Sequence, residues 1–503
     1  MASLARIESW DEIADVVVLG FGLAGTSTAI EAIDLNTSTD VLIVEKMPEG
    51  LEGGNSRVSG QTLCPASDVD KLMAYQRRLN EPNPVPEEVL RAWADGVIEV
   101  EPWIERMAAE VGAEYVKGSG PDANETIFEY EELGARDAIT YNATIKPMPS
   151  GVWNVFREQV RRRAIRISYD TQALELIQDP DTLEVYGVVA ERAGRRIAIK
   201  ARRAVVMCTG GFENNIEMQR NYWGIDRAFA FGSPGNTGDG IKMLQKAGAD
   251  LWHMRNRTQS GGLWPAFKLP EYDTAVFRNI HMEAGSWIDV AADGQRFYDE
   301  GTHHRLTHYH QKVNGVWNDF PLWQVQPIHM IFDDETRMRE CIANDPLMGW
   351  TAVVEKYTWS KNNNNEVQKG WITKAGSIDE LAKAIGLDQD ILMKTVERFN
   401  AMAEKGNDDD FGRPAKLMQP IVKPPFYAIE IVPGIITTTG GGRRNGRAQV
   451  LTPDHKPIPR LYEAGELGSI FSNLYQNGSF LVECMVFGRI AAREALGLQP
   501  WDA

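Results

Sequence analysis

Ile13 to Gly25 reads IADVVVLGFGLAG, and this stretch decides the fold. The β-branched run Ile13 to Leu19 stops at glycine, and good helix formers at helical spacing follow from Ala24 to Leu35. Val41 to Val44 (VLIV) is a second apolar run, so the three segments predict a β-α-β unit. Gly20-Phe21-Gly22-Leu23-Ala24-Gly25 places G-x-G-x-x-G at the strand-to-helix turn, and Glu45 follows Gly25 by 20 residues. Gly20 permits the tight turn, Gly22 lets backbone N–H groups approach a pyrophosphate, and Gly25 lets helix and strand pack closely. The helix N-terminus favours the anion. Glu45 is placed to accept hydrogen bonds from a ribose. A glycine-rich turn without function would not be expected to carry strand, helix and acid together.

Around this unit the chain has 503 residues, beyond the size at which a single core keeps growing, and 43% apolar residues to fill more than one. Its formal net charge of −17 argues against a nucleic-acid or anionic-membrane partner, which needs clustered Lys and Arg. Cys64, Cys208, Cys341 and Cys484 are far apart and without C-x-x-C spacing, so neither a disulfide framework nor a zinc site is expected. They read as buried thiols of a reducing compartment. Met1 to Asp15 has no signal-peptide pattern, and no apolar run approaches about 18 residues. A soluble cytoplasmic protein is expected.

Further along, Glu81 to Gly112 reads as two helices, with Pro86 near a start and Gly112 near a stop. Ile165 to Tyr169, Ala173 to Ile177, Val185 to Ala190 and Arg196 to Lys200 read as strands, and Ala204 to Cys208 as a separate buried strand. From about Leu263 to Gly412 the character changes. Six of the eight histidines lie there, with a polar Lys361 to Glu366 loop and a helical patch at Ser377 to Ile385. This stretch reads as an inserted second domain, residues 263–412, between residues 1–262 and 413–503. The last segment, Leu481 to Leu496, is helix-like.

Five ordered motifs carry a family resemblance. They are the fingerprint with Glu45-Lys46 and Gly53-Gly54-Asn55-Ser56-Arg57-Val58-Ser59-Gly60; Val205 to Phe212 (VVMCTGGF); Asn236 to Gly240 (NTGDG); Leu461 to Glu466 (LYEAGE); and Gly488 to Ala491 (GRIA). With them the chain resembles the flavoprotein superfamily of fumarate reductases and 3-ketosteroid dehydrogenases. The resemblance implies an α/β fold, in which a Rossmann-like FAD-binding domain of the glutathione-reductase type is interrupted by an α+β cap, with the flavin between the two. It implies Gly54 and Ser56 at the flavin and its pyrophosphate, Glu466 at the ribityl chain, and Ser479, Phe480 and Leu481 near the pyrimidine end. A helix N-terminus there stabilises negative charge on reduced flavin. It further places Gly53, Asn55, Ser59, Gly60, Ala173, Thr209, Gly210, Gly211, Asn236, Asp239 and Gly465 around the cofactor. Members with covalent FAD carry a histidine after the fingerprint; residues 1–252 contain none, so dissociable FAD is expected.

The substrate positions depart from the dicarboxylate pattern. Thr437-Thr438-Thr439 stands where the reductases have H-H-T-M, and Leu474-Tyr475-Gln476-Asn477 stands where they have an arginine. A dicarboxylate would lose its anchors, and desolvating unpaired carboxylates is costly. Tyr475 is similar to the ketosteroid dehydrogenase tyrosine, a donor to a ketone oxygen and to the enolate formed from it; the alternative is a half-buried tyrosine packing on the flavin. In Gly294 to Arg305 (GQRFYDEGTHHR) the cap motif G-x-R-F-x-N-E is recognisable, and eight residues past Arg296 stands His304. The reductases have an arginine acid there and the ketosteroid dehydrogenases a tyrosine. His304 titrates near neutrality and suits proton transfer at carbon; Arg305 takes the role if the register slips by one, and a surface helix is the third reading. Among His303, His304, His308 and His310 only one i, i+4 pair has ligand spacing, and no metal site is expected.

Together these residues point to desaturation of a bulky or cyclic ketone, or reduction of the matching enone, with His304 and Tyr475 as proton-transfer and polarising groups. The rival enzyme is a fumarate-like or enoate reductase using Arg305, and the non-enzyme rival is an electron-transfer flavoprotein. The expected partners are a small ketone or enone and an external electron donor or acceptor. No readable motif sets the direction, the electron partner or an oligomeric state.

Overall fold

The computed structural model describes residues 2–118, 126–257, 263–279, 282–301, 310–319, 325–343 and 346–502. The elements that position the site are β1 (Glu12–Leu19), α1 (Leu23–Leu35), β2 (Val41–Val44), α2 (Gly54–Val58), β3 (Arg166–Ser168), β4 (Thr171–Gln178), β5 (Val185–Arg192), β6 (Arg195–Met207), α3 (Asp239–Lys246), β7 (Trp264–Lys268), β8 (Ala275–Phe277), β9 (Trp287–Val290), β10 (Ile328–Asp333), β11 (Thr373–Ala375), α4 (Ile378–Ile385), α5 (Gln389–Lys405), β12 (Phe426–Ile435), β13 (Pro457–Glu463) and α6 (Ser479–Gly497).

In the first unit a nine-stranded sheet runs β4-β5-β6-β1-β2-β3, with Ala2–Ser3 beside β4 and β13 beside β6. β1 lies parallel to both β2 and β6, with Val16 opposite Val41 and Val18 opposite Val206. Strands covered on both faces need continuous apolar runs, and Val16, Val17 and Val18 are fully buried. β4, β5 and β6 form an antiparallel meander. The runs Arg196 to Lys200 and Ala204 to Cys208, read as separate strands, are one strand of 13 residues. Its first half pairs with β5 and its last residues with β13, so a change of partner along one strand looked like a break. Glu81 to Gly112 also departs from the two-helix reading, since one helix, Glu87–Glu110, passes through Pro102. Its buried stripe, Trp93, Val97, Val100, Trp103, Ile104 and Met107, continues across the proline and holds the two halves to one packing face.

The contacts divide the chain into Met1–Gly224, Gly232–Gly261 and Ile436–Ala503 on one side, and Ile225–Phe231 with Gly262–Ile435 on the other. The second unit thus runs past residue 412, because β12 registers on β10 from Ile328 opposite Ile431 to Asp333 opposite Phe426. Its sheet runs β8-β7-β12-β10-β9, with β11 also on β12. Ile288, Val290 and Ile331 from this sheet pack against Leu381 of α4 and Leu392, Val396 and Phe399 of α5. A sheet with helices packed on it is the α+β arrangement.

Candidate active site

Gly20 has φ +106°, and a Cβ there would collide with the carbonyl of Cys208 at the end of β6. At Gly25 a Cβ would collide with the carbonyl of Gly20. These two glycines let the turn, α1 and β6 close on one another. Gly22 caps α1, and its Cβ would sit 3.5 Å from Ser56 Oγ and 3.7 Å from Gly53 O. A methyl group is therefore accommodated at Gly22, while anything longer would fill the space between the turn and α2. Leu23 N donates to Ser56 Oγ at 3.0 Å, and the first turn of α1, including Ala24, carries no acid. That turn presents the positive end of the helix to an anion.

Glu45 directly follows β2 with both carboxylate oxygens engaged, accepting from Phe21 N and Met47 N at 2.8 Å each. Burial raises its pKa, with the two backbone N–H groups and Lys46 opposing that rise. Lys46 donates to Thr237 Oγ1 and Asp239 Oδ2 at 2.8 Å each, and Gln172 adds 3.2 Å to Asp239. Ala173 follows on β4, paired with Ala190. Lys46, Met47, Asp170, Gln172, Gly235 and Thr237 line a cavity of about 480 Å³ on this side.

Beyond the turn, Gly53 (φ +113°) and Gly54 (φ +53°) lead into α2, and nothing lies within 4 Å of a Cβ at Gly54. Ser59 Oγ donates to Ser56 O at 3.3 Å and accepts from Gln61 Nε2 at 2.9 Å; Gly60 lies between them in the chain. Thr209 Oγ1 is buried without a partner, and a Cβ at Gly240 would collide with it. A Cβ at Gly210 would come within 2.9 Å of Asn236 Oδ1, and one at Gly211 would collide with Thr438 Oγ1. Gly465 has φ +83° and brings Glu466 to the same place.

Asn55 is the centre of this cluster. Its Nδ2 lies 3.1 Å from Glu213 Oε1 and 3.1 Å from both oxygens of Glu466, while its Oδ1 accepts from Ser233 N at 2.9 Å. Thr438 N donates to Glu213 Oε1 at 2.9 Å, and Asn236 Nδ2 to Glu466 Oε2 at 3.4 Å. Burial pushes Glu213 up to about 8, helped by the charge of Glu466, and raises Glu466 as well. Glu213 was not foreseen from the sequence. Its only signal is an acid directly after the double glycine and Phe212.

At the far end, Gly478 (φ +88°) caps α6, whose first residues are Ser479, Phe480 and Leu481. The Tyr475 hydroxyl accepts from Phe480 N at 3.1 Å, and its ring packs edge-on to Phe471 and tilted to Phe480. Tyr475 is buried, which pushes its phenol far above the ordinary tyrosine range. The group therefore stays protonated. In the other unit, Arg296 of the G-x-R-F motif forks onto Glu300 at 2.8 and 2.7 Å and reaches Asp408 at 2.9 Å. His303, His304, Arg305 and His308 lie outside the described residues; His310 is buried at the start of a hairpin.

The FAD binding domain family matches residues 15–482. The chain belongs to that family. FAD is its cofactor, and the residues fit it: the turn leaves room at Gly22 and Gly54, an acid-free helix start faces that room, and a cavity opens beside Lys46 and Met47. The NADH:fumarate oxidoreductase of Klebsiella pneumoniae is 26% identical over 501 residues, covering 96% of this chain and 47% of the relative, so the chain spans about half of that protein's length. The digoxin reductase of Eggerthella lenta is 26% identical over 550 residues, covering 98% of this chain and 89% of the relative. Among solved structures, the 3-ketosteroid Δ1-dehydrogenase of Sterolibacterium denitrificans, in complex with 1,4-androstadiene-3,17-dione, superposes with a TM-score of 0.76 at 22% identity and covers 97% of this chain and 100% of that one. That likeness shows the shared fold. Among the described residues, no helix is long and apolar enough to cross a membrane.

Proposed function

We propose that the chain is an FAD-dependent oxidoreductase acting on a CH–CH bond next to a carbonyl, desaturating a bulky or cyclic ketone or reducing the matching enone. FAD, when bound, supplies the centre that takes or gives hydride. The observation that carries the reading is the Tyr475 hydroxyl at the first turn of α6, where it accepts from Phe480 N. Accepting from a backbone N–H strengthens the phenol as a donor, and burial keeps it protonated. Such a group polarises a carbonyl oxygen and stabilises an enolate, but it does not abstract a proton. Thr437 and Thr438 support the same reading. Thr437 is buried with its hydroxyl donating to Thr438 O at 3.1 Å, and Thr438 Oγ1 accepts from Phe212 N at 3.1 Å. Neither offers the charge that a dicarboxylate needs.

His304 is proposed as the residue that moves the proton at the α-carbon, since neutral imidazole accepts and imidazolium donates near neutral pH. In His304→Ala turnover should fall about 100-fold to 10,000-fold with FAD retained, and Arg305→Ala should cost less. A desaturase should speed up as pH rises through the histidine range, and an enone reductase should slow. Loss of activity in Arg305→Ala alone would instead favour a reductase-type arginine acid. The substrate class is tested by anaerobic flavin spectra against saturated ketones, enones, and succinate with fumarate. Bleaching by a ketone, or reoxidation of the reduced flavin by an enone, is the expected result. Rapid response to fumarate or succinate alone would overturn the reading.

A further inference from the structure

Glu213 follows the strand-to-loop turn after β6, and Glu466 follows β13; Asn55 of α2 reaches both with a single amide nitrogen. Glu213 is buried and Glu466 is half-buried, and among the described residues neither forms an ion pair. Their other partners are neutral: Thr438 N and the Asn236 side chain on Glu213, and Asn236 and Gly211 N–H on Glu466. The charged and titratable groups on the surrounding elements are engaged elsewhere. Lys46 pairs with Asp239 at 2.8 Å, Arg257 lies over the Trp223 ring, Arg444 pairs with Glu483, and the Cys484 thiol of α6 is held protonated by burial. One amide cannot offset two desolvated negative charges, so the pair keeps a proton. Glu213 is the more deeply buried of the two, and its Oε2 is buried without a partner. The proton therefore belongs on Glu213 and the negative charge on Glu466.

We infer that Glu213 is a positioning residue for the cofactor, coupled to Glu466 across Asn55 so that the pair holds one proton, and that FAD binding above neutral pH takes up that proton. This inference rests on FAD lying against Glu466, and not on the choice of substrate. FAD removes the pair further from water and brings its own negative pyrophosphate, so the doubly ionised pair is more costly in the complex than in the free protein. At the same time a ribityl hydroxyl can donate to the ionised Glu466 while Glu213 stays neutral. By linkage, a group whose pKa rises on binding makes binding strongest below its free-protein pKa and weaker above it.

The test is FAD affinity measured by fluorescence from about pH 6 to 9, together with calorimetric titration of the apoprotein in buffers of different ionisation enthalpy. The wild type should bind with nearly constant affinity at the acid end, lose up to about tenfold per pH unit at the alkaline end, and take up close to one proton there. In E213Q the side chain is permanently neutral, so the slope and the uptake should vanish while FAD still binds. Glu45 also titrates in the FAD site, so persistence of the full slope in E213Q would assign the linkage to Glu45 and overturn the inference. A flat wild-type profile without proton uptake would overturn it whether or not E213Q folds. Failure to bind FAD at any pH would instead overturn the placement of FAD itself.

Discussion

Burial and the hydrogen bond from Phe480 N fix the Tyr475 hydroxyl at the first turn of α6, while Phe471 and Phe480 hold its ring. Tyr475→Phe removes the hydroxyl and keeps the packing, so it separates polarisation from mere filling. Turnover should fall about 100-fold to 1000-fold, the worth of one oxyanion donor, with FAD absorbance unchanged. Normal turnover would reduce Tyr475 to a packing residue. Residues of the turn were legible in the sequence because their task is local: Gly20, Gly22, Gly25 and Glu45 lie within one β-α-β unit, and spacing alone brings them together. Glu213 was not. Its burial comes from Asn55, Asn236, Thr438 and Glu466 converging from distant parts of the chain, which no local pattern announces.

Elements were legible where their periodicity stayed intact and less so where tertiary partners overrode it. β1, α1 and β2 stand within a residue of their expected positions. The two runs that merge into β6 were divided by Ala201, Arg202 and Arg203, whose mixed polarity resembles a turn although the backbone continues as strand. Helix α6 shows a related effect, since it buries Glu483 among apolar neighbours. The fully buried Arg444 guanidinium pairs with Glu483, lies 4.0 Å from the Phe487 ring centre, and is the cation that opposes the burial of Glu463. Arg444→Met should therefore destabilise the protein by about 3–5 kcal/mol in urea unfolding near pH 8, because two buried carboxylates lose their cation. Burial already holds the folded-state pKa of Glu463 above its unfolded value, and loss of the cation raises it further. The deficit should shrink as pH falls toward the unfolded carboxylate range and be largest well above it. A deficit equal at pH 5 and pH 8 would assign the loss to packing alone.

At the scale of the whole molecule, FAD binds the folded chain and not the unfolded one, so it should stabilise by mass action. At a free concentration 100-fold above Kd the gain is about 2.7 kcal/mol, read as a higher midpoint in thermal unfolding. Gly22→Val should abolish both the gain and the yellow colour. Its Cβ alone would be tolerated at 3.5 Å from Ser56 Oγ, but the two methyl groups beyond it would occupy the space reserved for the pyrophosphate. A variant that folds with the melting temperature of the apoprotein, and does not respond to added FAD, would meet this expectation. Full FAD occupancy in Gly22→Val would remove the turn from the cofactor site. The link between chain and cofactor is tested by the same preparation. No histidine occurs in residues 1–252, the region where members with covalent FAD carry their attachment residue, so acid or heat denaturation should leave the pellet colourless and the supernatant yellow. Colour retained in the pellet would mean a covalent bond formed through another side chain. The wild-type midpoint would then be independent of added FAD, because a tethered cofactor no longer obeys mass action.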